Sequence, residues 1–147
     1  MVKIFSIKQQ FADKIFRNEK RVEYRRQNVK VQANELCLVY TSSPVKELSG
    51  YFVVKRKLRM PIGKLWQKTK VHAGISKSEF LKYFEGCIEG TAIVLKLVKQ
   101  FITGLNLVEI KTILRNFTPP QSYCNLDSKL FNLFLNVFPQ RTFVITK

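Results

Sequence analysis

Chemistry-bearing side chains concentrate in the stretch Lys20-Arg21-Val22-Glu23-Tyr24-Arg25-Arg26. Alternate residues of a strand face opposite sides, so Val22 and Tyr24 fall on one face and Arg21, Glu23 and Arg25 on the other. The planar fork of arginine suits phosphate or the edge of a base. A carboxylate among arginines weakens attraction for a polyanion unless it is paired or has its own task. The combination points to a shaped polar site rather than to general basic glue.

Further polar residues sit where strands end and turns begin, where binding residues usually lie. Ser6 and Lys8 flank the end of a first strand, and Thr41, Ser42 and Lys46 follow a buried one. Gln121, Ser122 and Tyr123 follow the double proline Pro119-Pro120. Hydroxyls, an amide, a tyrosine ring and arginines together suit a nucleobase edge, its face and its phosphate.

Other chemistries find little support. His72 is the only histidine, in a segment that reads as an exposed connection, so serine–histidine–acid catalysis is not expected. There is no GxxxxGK[ST] phosphate loop and no GxGxxG turn. The ten acidic residues show no pair set to bind magnesium. Cys37, Cys87 and Cys124 are widely spaced and read as small, partly buried hydrophobes. No cofactor and no metal are expected.

The elements that must position these residues follow from periodicity. Residues 2–6 read as a strand and 8–17 as a helix with Phe11, Ala12, Ile15 and Phe16 on one face, stopped at Asn18. Lys20–Arg26 is the next strand, and residues 27–34 are a loop. Leu36–Tyr40 reads as a strand buried on both faces. Gly50–Val54 is another, running on through Lys55–Arg59. Pro61 suits the first turn of a helix carrying Leu65 and Trp66. Ser76 and Glu79 form a capping box for a helix with Phe80, Leu81 and Phe84 as its stripe and Gly86 as its stop. Thr91–Val98 is the last clear core strand. Residues 107–114 and 130–137 have helical spacing, and Phe143–Ile145 reads as a closing strand. This irregular mixture argues for an α+β fold with a curved, barrel-like sheet.

The chain has 147 residues, 46% of them hydrophobic, enough for one core. No apolar run reaches the roughly 18–20 residues of a membrane span, and the N-terminal residues are too soon interrupted by charge for a signal peptide. An intracellular, cytoplasmic setting is expected. The 26 Lys and Arg against 10 Asp and Glu leave a net charge of +16, for which nucleic acid is the commonest polyanionic partner. No membrane association is expected.

These positions resemble a known family. Phe5-Ser6-Ile7-Lys8 with its following helix, then Asn18 to Arg26, is similar to the opening of ASCH domains, a branch of the PUA-like superfamily. The likeness continues through Tyr40–Lys46 with Gly50-Tyr51-Phe52, Leu65–Thr69, Gly74–Phe80, Tyr83–Gly86 and Pro119–Tyr123. It implies a PUA-like β-barrel with short helices packed around it, spanning residues 1–126. Residues 127–147 would be a C-terminal extension, and its apolar residues Leu130, Phe131, Leu133, Phe134, Leu135, Val137 and Phe138 would pack on the domain or meet a protein partner. The resemblance also implies a cleft that binds RNA or a modified nucleoside, with Ser6, Lys8, Lys20, Glu23, Arg25, Thr41, Ser42, Gln121 and Ser122 as its candidates.

A small branch of the family removes the acetyl group from an N-acetylated cytidine, using a lysine, a threonine three residues later and a distant glutamate. Lys20 matches the lysine, Glu23 replaces the threonine, and Ala73 or Gly74 stands near the place of the glutamate. Two of three partners are therefore missing. The expected function is an RNA-binding domain with a basic polar cleft, enzymatic activity not being required. The alternatives are a hydrolase of a modified nucleoside or RNA, with Lys20 and Glu23 as its catalytic pair, and a protein-interaction domain.

Overall fold

A computed structural model describes residues 2–137. The order of elements is β1 (Val2–Ile7), α1 (Gln9–Phe16), β2 (Val22–Arg25), β3 (Leu36–Thr41), β4 (Glu47–Pro61), α2 (Ile62–Thr69), a single 3₁₀ turn (Lys70–His72), α3 (Lys77–Tyr83), β5 (Glu89–Asn106), α4 (Leu107–Ile113), β6 (Tyr123–Leu126) and α5 (Ser128–Val137). The class is α+β with a mixed sheet, as expected. The residues group into two compact units. The chain passes between them within α1, before β3, and within the long strands β4 and β5.

Among the described residues, the first unit holds 2–13, 36–52 and 98–137. Its strands neighbour one another in the order β4-β3-β1-β6. β1 runs parallel to β3, with Ile4 opposite Leu38 and Ile7 opposite Thr41. β6 runs antiparallel to β1, with Phe5 opposite Tyr123. Ile4, Leu38, Tyr40, Leu48, Phe101, Leu105, Ile110 and Leu126 form its core, and Phe131 of α5 packs against it. Phe5, on the other face of β1, stacks on Tyr123 at 5.3 Å between ring centroids and meets Phe52 at 5.6 Å. Burial on both faces explains the unbroken apolar run of β3.

The second unit holds residues 14–35 and 53–97, with β2-β5-β4 as its strand order. β2 pairs antiparallel with β5, Val22 opposite Val94 and Arg25 opposite Thr91. Val22, Tyr24, Leu65, Ala73, Phe80, Phe84 and Ala92 form the core. Tyr24 turns its ring edge-on to Phe80, 5.0 Å away, and Trp66 tilts against the same phenylalanine at 4.9 Å.

The elements depart from expectation at several places. The Lys20–Arg26 strand is ladder-paired only over Val22–Arg25. Pro61 precedes the first turn of α2 instead of opening it, because its ψ of 143° is still extended. Leu81 does not belong to the buried stripe of α3; it is 48% exposed while Phe80 and Phe84 are buried. β5 continues eight residues beyond Val98. It passes through Gly104 because a Cβ there would stand 2.5 Å from the Glu47 carboxylate carbon, so the glycine keeps a close approach within the strand. β6, directly after the proline turn, had no expected counterpart. The expected strand Phe143–Ile145 and Phe138 lie outside the described residues. Among the described residues, no helix is long and apolar enough to cross a membrane.

Candidate functional site

In the second unit the site is built from the turn that ends α1. Asn18 adopts a left-handed conformation (φ 62°), which asparagine tolerates. The backbone N–H groups of Glu19 and Lys20 then both donate to the Lys14 carbonyl, at 2.9 and 3.1 Å. This closure turns the Lys20 side chain inward, where it is only 2% exposed. Its Nζ donates to the carbonyls of Val22 (2.5 Å) and Ala73 (3.1 Å) and lies 4.7 Å from the centre of the Tyr24 ring. Carbonyl dipoles and a ring face are what an ammonium needs once it leaves water.

The neighbouring Gly74 is required for this arrangement. It has φ +67°, and a Cβ would stand 2.5 Å from the Cβ of Lys20. Its carbonyl accepts from the ammonium of Lys14 at 2.9 Å. Two lysines therefore hold two successive carbonyls of one turn. Burial lowers the Lys20 pKa from 10.5 to about 8; Glu23 nearby opposes the shift, while Lys14 and Arg25 add to it. The folded chain thus carries one amine that is partly neutral near physiological pH.

Glu23 and Arg25 point to the same side of β2, two residues apart. The carboxylate and guanidinium are 3.1 Å apart, with side chains only 7% and 10% exposed. Behind them the Tyr24 hydroxyl donates to Thr69 Oγ1 (2.7 Å), whose own proton goes to the Leu65 carbonyl (2.7 Å). Burial pushes the Tyr24 phenol up to about 12, with the Thr69 hydrogen bond opposing. The Tyr83 hydroxyl donates to the Tyr24 carbonyl at 3.0 Å. Its pKa is raised by burial first and then by the Glu23 charge. Arg26 is exposed and reaches back to the Tyr83 carbonyl at 3.3 Å.

The first unit holds the remaining candidates. Ser6 Oγ donates to the Pro120 carbonyl at 2.6 Å, and its N–H to the Ser122 carbonyl at 2.9 Å. The N–H of Ser42 donates to the Ile7 carbonyl at 3.0 Å. Thr41 and Ser49 share a buried hydroxyl–hydroxyl bond of 2.6 Å. The Ser43–Pro44 peptide bond in the following turn is cis. Lys46 leaves that turn with φ 55°, exposed, its carbonyl accepting from the N–H of Leu107 at 3.1 Å. Lys8 and Gln121 are exposed, and Ser122 and Tyr123 half-buried.

Of the residues expected from sequence, Glu23 and Arg25 form a buried ion pair, Lys20 is buried near enough for both charges to act on its pKa, and Arg26 is exposed. Ser6 and Ser122 meet through the backbone, as do Ser42 and the end of β1. Lys8, Lys46 and Gln121 stand on turns. Lys14, Thr69, Gly74 and Tyr83 were missed in the second unit and Ser49 in the first. Gly74 carried a usable signal, as a glycine just before the capping serine. Among the described residues, no three His, Cys, Asp or Glu side chains converge as metal ligands.

Comparison with known proteins agrees with this architecture. The model of the ASCH domain matches residues 5–103. An "ASCH domain-containing ribonuclease" of Zymomonas mobilis is 31% identical over 119 residues, covering 81% of this chain and 80% of that protein. The crystal structure of ASCH from Zymomonas mobilis superposes with a TM-score of 0.86 at 26% identity, over 92% of this chain and 94% of that one. The N-terminal domain of Staphylothermus marinus McrB has the same fold, with a TM-score of 0.59 at 10% identity over 89% of this chain and 91% of that one.

Proposed function

The chain belongs to the ASCH domain family, and on that premise we propose that it is an RNA-binding domain whose contacts include the buried polar group on β2. The observation that carries this reading is the likeness to the Zymomonas mobilis ribonuclease, which extends over four-fifths of both chains. A net charge of +16 supplies the attraction for phosphate. On this reading Arg25, Arg26 and Lys20 supply cationic donors, and Glu23 holds Arg25 in place for a planar ligand. In the first unit, Ser6, Lys8, Thr41, Ser42, Lys46, Gln121, Ser122 and Tyr123 supply polar contacts to the same class of ligand. On this reading the domain proper ends near Leu126 and is followed by an extension that packs on it; the contact of Phe131 with the first core supports that packing. A cytoplasmic setting is part of the same proposal.

The test is a filter-binding titration of single-stranded RNA at about 50 mM and about 200 mM salt. Micromolar binding that weakens steeply with salt supports the reading. Absence of binding at the lower salt overturns it.

A second reading, RNA hydrolysis, is favoured by one specific observation: Lys20 is an amine with its pKa lowered to about 8, beside a carboxylate. A neutral Lys20 amine would accept the proton of the RNA 2′-hydroxyl as that oxygen bonds to phosphorus. The bond from phosphorus to the 5′-oxygen would break, the departing oxygen would take a proton from water, and Glu23 would stabilise the Lys20 ammonium. The deacetylating branch that the chain resembles around Lys20 has its glutamate near the place of Ala73 or Gly74, and here the Ala73 carbonyl accepts from Lys20. The carboxylate of this chain comes instead from Glu23, on the strand itself. Labelled RNA that stays intact with the parent protein, or is cut equally by a folded Lys20→Met variant, would eliminate this reading.

A further inference from the structure

The sequence between Glu47 and Glu79 contains eight Lys or Arg residues and no Asp or Glu. Its middle portion folds into α2 and the 3₁₀ turn after it. Leu65 and Thr69 are the buried residues of α2, so helical spacing sends Lys64 and Lys68 outward, and both are exposed, as is Lys70. Lys64 and Lys68 stand four residues apart, the spacing at which like charges destabilise a helix by roughly 0.2–0.5 kcal/mol. Nothing relieves this locally. The eight-residue helix has no side-chain cap on its N-terminal N–H groups and no acidic residue in its first turn. Among the described residues, none of the three lysines forms an ion pair. Arg21 borders the same surface: its N–H donates to the His72 carbonyl at 2.9 Å, and its side chain is exposed.

A short helix that gathers like charges on its open face, in a stretch without a single acid, is matched to a polyanion. By contrast, α3 carries Lys77 and Lys82 together with Glu79, and Glu85 follows it. We propose that the outward face of α2 and its following turn, Lys64, Lys68 and Lys70 with Arg21 beside them, grips the phosphate backbone of RNA. This contact is separate from the buried group at Lys20 and Glu23. It rests on the RNA-binding reading and adds to it a backbone-holding surface that carries no base preference.

The experiment compares two charge-matched pairs, Lys64→Gln/Lys68→Gln on α2 and Lys77→Gln/Lys82→Gln on α3. Each is titrated with a single-stranded oligouridylate across a salt series, with thermal melting to confirm the fold. Loss of two phosphate contacts should flatten the log–log salt dependence by about 1.4 for the α2 pair, from roughly 0.7 per contact, and leave the α3 pair near the parent slope. The loss should be equal on oligoadenylate, since backbone contacts do not read bases. An unchanged slope in the α2 pair, or an equal loss in both pairs, overturns the proposal while the parent protein still binds. If the parent protein itself fails to bind RNA at low salt, the RNA reading falls instead, and this contact with it.

Discussion

The ammonium of Lys20 donates to the carbonyl of Ala73 at 3.1 Å, joining the edge of β2 to a turn 53 residues later in sequence. The approach is close enough that the next residue has no room for a side chain. This joint is the structural basis of the candidate site in the second unit, and its energetics are accessible to measurement.

Gly74→Ala should destabilise the protein by at least about 1–2 kcal/mol. The new Cβ would sit 2.5 Å from Lys20 Cβ and 2.9 Å from its Cα, at a φ of +67° that L-residues adopt only at a cost. Gly63→Ala is the control. Nothing lies within 4 Å of that position, and it is helical, so alanine should stabilise by about 0.5–1 kcal/mol. Urea midpoints of the two variants should move in opposite directions.

The lowered pKa of Lys20 predicts a pH dependence of definite sign. Between about 8 and 10.5 the unfolded chain holds the Lys20 proton more tightly than the folded chain, so stability contributed by this group rises with pH. A shift from 10.5 to about 8 corresponds to on the order of 3 kcal/mol when fully developed. The parent protein should therefore gain stability relative to Lys20→Met as pH goes from 8 to 10. Tyr24 works the other way above its ordinary value of 10.0: its folded pKa is raised to about 12, so its contribution is lost as pH climbs through that range. Urea unfolding at pH 7, 8, 9 and 10 checks the prediction. A constant difference between parent and variant would count against a buried, partly neutral lysine.

Much of this arrangement was legible in the sequence. The Asn18 stop, the buried β3 and the Ser76 cap follow from short-range patterns and lie where those patterns put them, and the Lys20–Arg26 strand does so over Val22–Arg25. What was not legible depends on contacts distant in sequence. Tyr83 becomes a partner of Tyr24 only because burial of Phe80 and Phe84 fixes how α3 lies. The passage of β5 through Gly104 depends on Glu47, whose carboxylate carbon would stand 2.5 Å from a Cβ at that position. The Asn106–Glu109 capping box was legible in principle, but a strand running straight into a helix leaves no polar loop to announce it.

That box yields a local prediction. Asn106 Oδ1 accepts from the N–H of Glu109 at 2.9 Å, and the Glu109 carboxylate accepts from the N–H of Asn106 at 3.1 Å. Asn106→Ala should cost about 1 kcal/mol, because it removes an acceptor that a seven-residue helix cannot replace. Asn106→Gly should cost only a few tenths. Thermal melts of the two variants would show the order; equal losses would mean that the cap is not what holds α4.

Phe131 tests how α5 belongs to the molecule. It is half-buried against a core that includes Ile110 and Leu126. Phe131→Ala should lower stability by about 1–3 kcal/mol, less than a fully buried phenylalanine would lose. A change below about 0.5 kcal/mol, the usual size for surface substitutions, would show that α5 contributes nothing to that core.

The Glu23–Arg25 pair separates structural from binding roles most directly. Both side chains are nearly buried, so removing one partner strands the other charge, and Glu23→Gln should cost about 3 kcal/mol. A double replacement, Glu23→Gln with Arg25→Met, leaves no stranded charge and should be more stable than Glu23→Gln alone. If the pair served only the fold, RNA affinity of the double variant would stay at the parent level once its stability was restored. If the pair holds Arg25 for a ligand, as proposed, the double variant should fold and yet bind more weakly. The deficit should persist at every salt concentration, because a forked contact to a base edge is not lost by counterion competition alone. Measuring urea stability and RNA affinity on the same four proteins of the cycle distinguishes the two outcomes.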